Sequence, residues 1–399
     1  MSTAVMTNRL ELNSVAETAL KTAVRSWFVV TVIGQLAFAF AVASFYGLTA
    51  LRGDYHAWKF TNGYLPGVTK GNWAVVVHLV AAVVIMLAGA AQLVPQVRSR
   101  FPTFHRWNGR IYMLSAVALS TAGLYMIWIR GSVGDITQRL GSTLNVILIW
   151  LFAAFALRYA LARDFKTHRR WALRLFIVVS GSWFYRIGLF LSFLVFKGPI
   201  GFDSVTFTGP FLTFMAFAQY LVPLAFLEIY LRAKDRPNAA PRLAAAGMLL
   251  VLTLAMAAGL FAVTMAIWVP DVKAGLDPRK SISETLSATI ATSGVDAAVK
   301  QYHELKAAEP ATYNFDENEL NFLGYRLIRD HKFKQAIRIF QLNVEAYPRS
   351  SNVYDSLGEA YMDDGDKPLA IVNYQKSLQL NSKNGNAVQM LQKLDAAGK

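Results

Sequence analysis

Four ionisable residues stand out because they lie within or at the ends of long apolar stretches. His78 and Arg186 are inside such stretches, whereas His105 and His168 lie just before two others. Charged or titratable groups are costly at membrane depth, so each of them needs a functional or structural explanation. An imidazole can bind haem iron or accept a proton, and a guanidinium can hold an anionic group.

His78 and Arg186 each allow two interpretations. On a helix, Gly89 and Gln92 fall within about 40° of the His78 face, so one side of this helix is small and polar. His78 is expected to bond to a neighbouring helix, with a haem ligand or a proton acceptor as the alternative. Arg186 is expected to be structural, bound to backbone carbonyls. The alternative is that it lines a wet cavity or holds an anionic ligand or lipid headgroup.

His105 and His168 occur in similar segments, FHRWNGR at residues 104–110 and THRRW at 167–171. Histidine, arginine and tryptophan before an apolar stretch are typical of an interfacial anchor to anionic lipids, which is the expected role. The alternative is that the two histidines converge as axial ligands of one b-type haem, or on a quinone or a metal. The anchor interpretation predicts that the protein shows no haem spectrum.

Composition places most of the chain in a membrane. Hydrophobic residues make up 54% of the 399 residues and charged residues only 16%. Residues 1–270 carry 24 Lys and Arg against 8 Asp and Glu, a net +16, whereas residues 271–399 have a net charge of −1. Because the excess positive charge belongs to the apolar part, nucleic acid is not an expected partner and membrane lipids are.

The sequence lacks the common motifs of soluble enzymes. It has no phosphate-binding glycine loop, no nucleophile elbow and no paired histidines at zinc spacing. There is no cysteine either, which excludes disulfides and thiolate metal sites. These features favour a non-enzymatic role, assign no catalytic residue and leave the cofactor unknown.

Seven apolar stretches are long enough to cross a bilayer, which takes about 20 helical residues. They are Ser26–Ala50, Asn72–Val94, Ile111–Ile129, Leu144–Ala162, Trp171–Phe196, Phe211–Tyr230 and Ala244–Val269. The N-terminal tail (1–25) and the second, fourth and sixth connections, together with the adjoining helix ends, carry 17 basic residues, against 6 in the other three connections. The positive-inside rule therefore predicts a cytoplasmic N-terminus, and seven crossings place the C-terminal part outside.

The C-terminal part contains two consecutive 34-residue units, 317–350 and 351–384. Gly324 and Gly358 are 34 residues apart, as are Ala336 and Ala370. This spacing resembles the tetratricopeptide repeat, which implies stacked helix pairs and a protein-binding module. We expect a degenerate repeat at 281–316, a capping helix at 386–397 and a polar linker at 271–280. The predicted fold is all-α: a seven-helix transmembrane domain (26–270) followed by a small α-solenoid (281–399).

The repeat resemblance also implies a binding groove on the first helices of the two units. By that resemblance, it would be lined by Asn318, Asn321, Tyr325, Ile328, Asn352, Asp355, Glu359 and Met362. Asparagine is a poor helix former, so its recurrence on one face indicates a role other than helix stability. The expected partner is a protein or peptide. The alternative is that this face packs on the outer connections of the bundle.

From His78 through FHRWNGRIY to THRRWALRLF, roughly residues 30–235, the chain resembles an uncharacterised family of bacterial polytopic membrane proteins. That resemblance implies a multi-pass protein of the bacterial cytoplasmic (inner) membrane and no particular activity. A weaker likeness is to two-haem b-type cytochromes, which need four histidines at two levels. This part of the chain offers His78, His105 and His168, with His56 in a connection.

The expected function is therefore a membrane-anchored, extracytoplasmic protein-interaction module whose bundle could bind a small ligand. A haem-binding electron-transfer protein is the first alternative, and a transporter or receptor is the second.

Overall fold

The computed structural model describes residues 3–52, 58, 69–131, 134–203 and 207–396. The chain divides into two compact units, Met1–Leu276 and Asp277–Lys399. The described residues are almost entirely helical, as predicted, with one pair of two-residue strands in the second unit.

The first unit consists of long apolar helices joined by short connections. They are α1 (Thr3–Val42), α2 (Leu48–Leu51), α3 (Thr69–Leu93), α4 (Pro95–Arg100), α5 (Pro102–Trp128), α6 (Ile136–Leu161), α7 (Phe165–Val179), α8 (Gly181–Phe196), α9 (Pro210–Asp235), α10 (Ala239–Val263) and α11 (Val269–Leu276). Two π-helical segments, Ala43–Gly47 and Thr264–Trp268, continue α1 into α2 and α10 into α11. Helical structure thus starts at Thr3, well inside the segment that the sequence suggested as a polar tail.

Six helical segments of the described chain are long and apolar enough to cross a membrane, and the α7–α8 pair makes seven if it counts as one span. The sequence predicted one continuous helix over Trp171–Phe196, but the structure bends it by 52° between Val179 and Gly181. Ser180 at the bend adopts non-helical dihedrals, and its hydroxyl accepts a 3.1 Å hydrogen bond from Gln35 Nε2. A polar contact from α1 therefore accompanies the break.

The α7–α8 pair extends along the length of α6. At one end, His168 Nδ1 near the start of α7 lies 2.8 Å from the carbonyl oxygen of Ala156. At the other end, the connection that follows α8 is held by Gln138, whose Nε2 donates to the Phe207 carbonyl at 3.2 Å. Eighteen helical residues separate Gln138 from Ala156, which is about 27 Å at 1.5 Å per residue. The pair therefore begins and ends near opposite ends of α6.

Helix α11 changes the expected linker. Residues 269–276 continue the last apolar helix and pack on the π-helical segment of the first one. At Gly275, a Cβ atom would lie only 2.5 Å from the Ser44 carbonyl oxygen, so glycine permits this close approach. The expected polar linker over 271–280 is thus helical as far as Leu276.

The second unit is a row of helical hairpins. Its elements are β1 (Lys280–Ser281), α12 (Ile282–Ser293), α13 (Val295–Ala308), β2 (Tyr313–Asn314), α14 (Glu317–Arg329), α15 (Phe333–Ala346), α16 (Ser351–Asp363), α17 (Lys367–Leu380) and α18 (Gly385–Ala396). Strands β1 and β2 pair in parallel. Sequential helices pack as pairs, and each pair contacts the next along the row. Inside the hairpins, Gly324 packs on Phe340 and Gly358 on Tyr374.

Candidate functional site

A cavity of about 1830 Å³ lies within the first unit. Its walls come from α1 and from α3 through α10, and they are mostly apolar. Basic side chains from α1, α4, the first turns of α5 and α7, the α6–α7 connection and the end of α9 form what we call the basic end. They are Arg25, Arg98, Arg106, Arg110, Arg163, Lys166, Arg169, Arg170 and Lys234. Asp235 is the one acidic residue among the described lining residues, and it forms an ion pair with Arg170.

His105 lines this cavity in a defined tautomer. Asn108 Nδ2 donates to the Ala88 carbonyl and to Gln92 Oε1, each at 2.8 Å. Because Gln92 Oε1 is thereby an acceptor, its amide nitrogen faces His105 Nε2 at 3.3 Å and must be the donor. Nε2 of His105 therefore accepts and the proton lies on Nδ1. That Nδ1 is buried and has no hydrogen-bond partner within the described structure.

His168 lines the same cavity in the opposite tautomer. Its Nδ1 lies 2.8 Å from the Ala156 carbonyl, which can only accept, so Nδ1 carries the proton. The lone pair on Nε2 is then available to a ligand. His105 lies within electrostatic reach of both His168 and Arg98. Two imidazoles, one offering a proton and one a lone pair, thus belong to one region of the cavity.

Tyr112 adds a buried donor that the sequence did not single out. It is 5% exposed and lines the cavity, and its hydroxyl has no partner within the described structure. Gly89 on α3 permits this position, since a Cβ there would lie 2.9 Å from the Tyr112 ring. The sequence signal that could have identified Tyr112 was its spacing from His105 and Asn108, because positions 105, 108 and 112 lie on one helical face. An unsatisfied buried hydroxyl costs stability, so Tyr112 needs a partner from outside the protein, either a water or a ligand.

The geometry bears directly on the haem alternative. Nε2 of His105 accepts from Gln92, so a haem held by both histidines through Nε2 would have to break that contact. His168 has the arrangement common among metal-binding histidines, with the second ring nitrogen donating to a carbonyl. No group of three or more metal-binding side chains occurs among the described residues. Ligation by His105 and His168 stays an untested alternative to the interfacial-anchor role.

His78 and Arg186 lie outside the cavity lining and within electrostatic reach of each other. Nδ1 of His78 lies 3.1 Å from the Leu119 carbonyl, an interhelical contact of the kind expected. Arg186 Nη1 donates to the carbonyl and the hydroxyl of Ser182 at 2.8 and 2.6 Å. The four candidates thus fall into two groups in different parts of the bundle.

The two tryptophans of the basic segments have different surroundings. Trp107 is 59% exposed, with the Arg110 guanidinium 4.8 Å from its ring centroid. Trp171 packs on Phe155 at 4.5 Å between ring centroids and carries Arg174 on its ring. Exposure of an indole beside a cation suits an interfacial anchor, so Trp107 fits that role better than Trp171.

The connection expected at Leu51–Gly71 is described only in part. Tyr55, His56 and Tyr64 lie outside the described residues. Trp58 is buried and its Nε1 donates to the Thr49 hydroxyl at 3.0 Å.

In the second unit, half of the proposed groove residues are engaged in packing. Ile328, Asp355 and Glu359 are buried. The Tyr325 hydroxyl donates to Glu359 Oε2 at 2.6 Å, which ties α14 to α16. Burial, followed by the neighbouring Glu359 carboxylate, raises the pKa of Tyr325 well above its usual value.

The other groove residues are more accessible. Asn318 and Asn352 are exposed, and Asn352 Nδ2 donates to Glu317 at 2.9 Å. Asn321 is half-buried and its Oδ1 lacks a partner within the described structure. Met362 is half-buried, with its sulfur 3.9 Å from the Tyr374 hydroxyl.

Comparison with known proteins gives one family match. Residues 75–222 match the family described as predicted membrane protein (DUF2306). The matched region contains His78, His105, Tyr112, His168 and Arg186. No curated protein and no solved structure matches the chain. Together with the apolar helices, the family match identifies a multi-pass integral membrane protein.

Proposed function

We propose that the first unit is a receptor or carrier for an anionic amphiphile, which it binds in the cavity. The observation that carries the proposal is Tyr112, which lines an apolar cavity with a basic end and whose buried hydroxyl has no partner within the described structure. Apolar walls suit hydrocarbon tails, while arginine and lysine suit an acidic headgroup. The volume also exceeds the roughly 300–1,000 Å³ of ordinary small-molecule pockets.

A cavity-filling variant with a matched control tests this proposal. Ala218 lines the cavity, whereas Ala154 on α6 is exposed and absent from the lining. Native mass spectrometry of the delipidated protein, titrated with anionic phospholipid, should show specific lipid adducts. Ala218→Phe should remove them and Ala154→Phe should not. Equal adducts on both variants would contradict the proposal. A Soret absorption band lost in His168→Ala would instead favour haem.

The second unit is proposed to lie outside the cytoplasm. The 17 basic residues of the tail and alternate connections support a cytoplasmic basic end. The contacts of the α7–α8 pair near both ends of α6 support a full, bent crossing, which makes the number of crossings odd. A re-entrant loop would return to its starting side and put both termini in the cytoplasm.

A second candidate function is peptide binding by the second unit, which we propose is a tetratricopeptide-repeat domain. The favouring observations are that Asn318 and Asn352 are exposed and that Asn321 Oδ1 has no partner within the described structure, since amide side chains can bond a peptide backbone. Affinity capture from envelope extract should recover a partner with the wild-type chain and lose it with Asn321→Ala. Identical recovered sets would contradict a groove role. Tyr325→Ala is unsuitable here because Tyr325 also joins α14 to α16.

A further inference from the structure

The cavity's polar groups also specify a class of headgroup, an inference that rests on the proposed function. We infer that His105, His168 and Tyr112 select a phosphomonoester lipid, with a terminal phosphate, over a phosphodiester lipid. Both classes have apolar tails and negative charge. They differ in the hydrogen that a monoester can carry on its phosphate and in the size of its charge.

Two of the three groups are donors without an acceptor. The Ala88–Asn108–Gln92 chain holds the proton of His105 on Nδ1, and that atom is buried without a partner in the described part of the chain. The Tyr112 hydroxyl is likewise buried and has no hydrogen-bond partner in the described part of the chain. Phosphate oxygens only accept when ionised, and every phospholipid has at least two of them. These donors therefore require an oxyanion but do not separate the two lipid classes.

His168 separates the two classes. Because Ala156 holds its proton on Nδ1, Nε2 offers a lone pair that a donor can use. A monoester phosphate retains a proton with a second pKa of about 6, so its P–OH can donate to Nε2. The proton can also move to Nε2, leaving a phosphate dianion beside an imidazolium. A diester has no P–OH and cannot donate to this nitrogen.

Charge favours the same class. Asp235 is the one acidic residue among the described lining residues, and it is already paired with Arg170. Arg98 lies within electrostatic reach of His105, so the donors are on the electropositive side of the cavity. A monoester carries about −1.5 to −2 near neutral pH, against −1 for a diester. The basic end should therefore attract it more strongly, as a salt-dependent contribution.

The test compares lipids on the full chain in detergent micelles at pH 7. The probes are dioleoyl phosphatidic acid, a polyprenyl monophosphate, and dioleoyl phosphatidylglycerol at equal concentration and at twice that concentration to match charge. We expect at least one monoester to bind about tenfold more tightly than the diester, even when charge is matched. The two monoesters distinguish an acyl-lipid ligand from an isoprenoid one, and a preference for either supports the inference.

Two variants separate the roles of the groups. His168→Asn keeps an amide donor for Ala156 but removes the Nε2 acceptor, so the monoester preference should fall to the part that charge alone supplies while diester affinity stays the same. Tyr112→Phe should weaken both lipid classes alike, since its hydroxyl meets an oxygen that both possess. Unchanged elution volume and tryptophan fluorescence show that each variant is folded. For wild-type protein, the ³¹P resonance of bound monoester should titrate at lower pH than in micelles alone.

The outcomes distinguish the two proposals. Equal binding of monoester and charge-matched diester would overturn the headgroup inference and leave the cavity proposal intact. Binding of neither lipid would overturn both. A monoester preference that His168→Asn leaves undiminished would also overturn the inference, because the discrimination would then come from charge alone.

Discussion

Replacing Gly324 with alanine should destabilise the second unit markedly more than the same change at Gly358. A Cβ atom on Gly324 would lie 2.4, 2.5 and 2.7 Å from three ring atoms of Phe340. At Gly358 the nearest ring atoms of Tyr374 would be 3.0 to 3.2 Å away. Phe340 and Tyr374 are both fully buried, so neither ring can move into solvent. The clash at Gly324 can be relieved only if the two helices of the hairpin shift, whereas at Gly358 the Tyr374 ring needs to move by only a few tenths of an ångström.

The expected magnitudes follow from two opposing effects. Alanine gains about 1 kcal/mol of helix propensity over glycine at either position. Overpacking a close-packed core costs about 1–3 kcal/mol. With the upper value at Gly324 and the lower at Gly358, Gly324→Ala should lose about 2 kcal/mol and Gly358→Ala should be near neutral. At an ordinary urea dependence, the first corresponds to a midpoint lower by roughly 1 M.

The assay is urea unfolding of residues 277–399, followed by far-ultraviolet circular dichroism. These residues form a compact unit with its own buried cluster, so we expect the fragment to fold alone. A cooperative wild-type transition is the necessary control, and an unchanged slope shows that both variants share its folded state. Equal midpoints for the two alanine variants would refute the packing argument. An insoluble wild-type fragment would refute the independence of the unit.

Three further predictions concern topology, an ion pair and a buried acid. Alkaline phosphatase fused after Lys399 should be active and green fluorescent protein exported unfolded there should be dark, whereas the reverse would mean an even number of crossings. Arg174→Met should lower the melting temperature in detergent by roughly 3–6 °C, and Glu228→Leu should recover most of it in the double variant, since their 2.7 Å contact is partly buried. Burial raises the pKa of Asp355, so raising the pH above about 3.9 should lower the stability of the wild-type unit. The urea midpoint of Asp355→Asn should therefore rise relative to the wild-type midpoint as the pH increases above that value.

Much of the second unit could be predicted because its contacts are local. The sequence predicts a degenerate repeat at 281–316, and the structure has the helices α12 (Ile282–Ser293) and α13 (Val295–Ala308) in that range. Gly324 and Phe340 are 16 residues apart, and Gly358 and Tyr374 repeat that separation. In stacked hairpins, such intervals decide which residues meet, so spacing alone carries most of the fold.

The groove could not be predicted to the same degree. The sequence places Tyr325 on an exposed face, but its hydroxyl reaches Glu359, 34 residues away on the next first helix. Burial of Asp355 depends likewise on Asn384 and Asn386 beyond the second unit's last hairpin. Whether a polar residue faces a partner or the next repeat is a matter of the superhelical angle, which local spacing does not encode.

The cavity was only partly visible in the sequence. His105 and His168 stood out by residue type, but Tyr112 looks like an ordinary aromatic residue of an apolar stretch. Gln92 fell near the His78 face by helical periodicity, whereas the structure brings it to His105. Which side chains bond between two helices depends on the rotation and the axial offset of those helices. In a membrane bundle both the lipid-facing and the inward-facing sides are apolar, so apolar periodicity is a weak guide to rotation and offset.

The bend at Ser180 connects the topology of the bundle with its cavity. On one side of the bend, α7 is held to α9 by the ion pair between Arg174 and Glu228. On the other side, α8 packs so closely on α10 that a Cβ at Gly259 would lie 2.5 Å from the Ile187 carbonyl. Residues of both α7 and α8 line the cavity. We therefore relate the shape of the cavity to the angle between α7 and α8, which the sequence presents as a single apolar run.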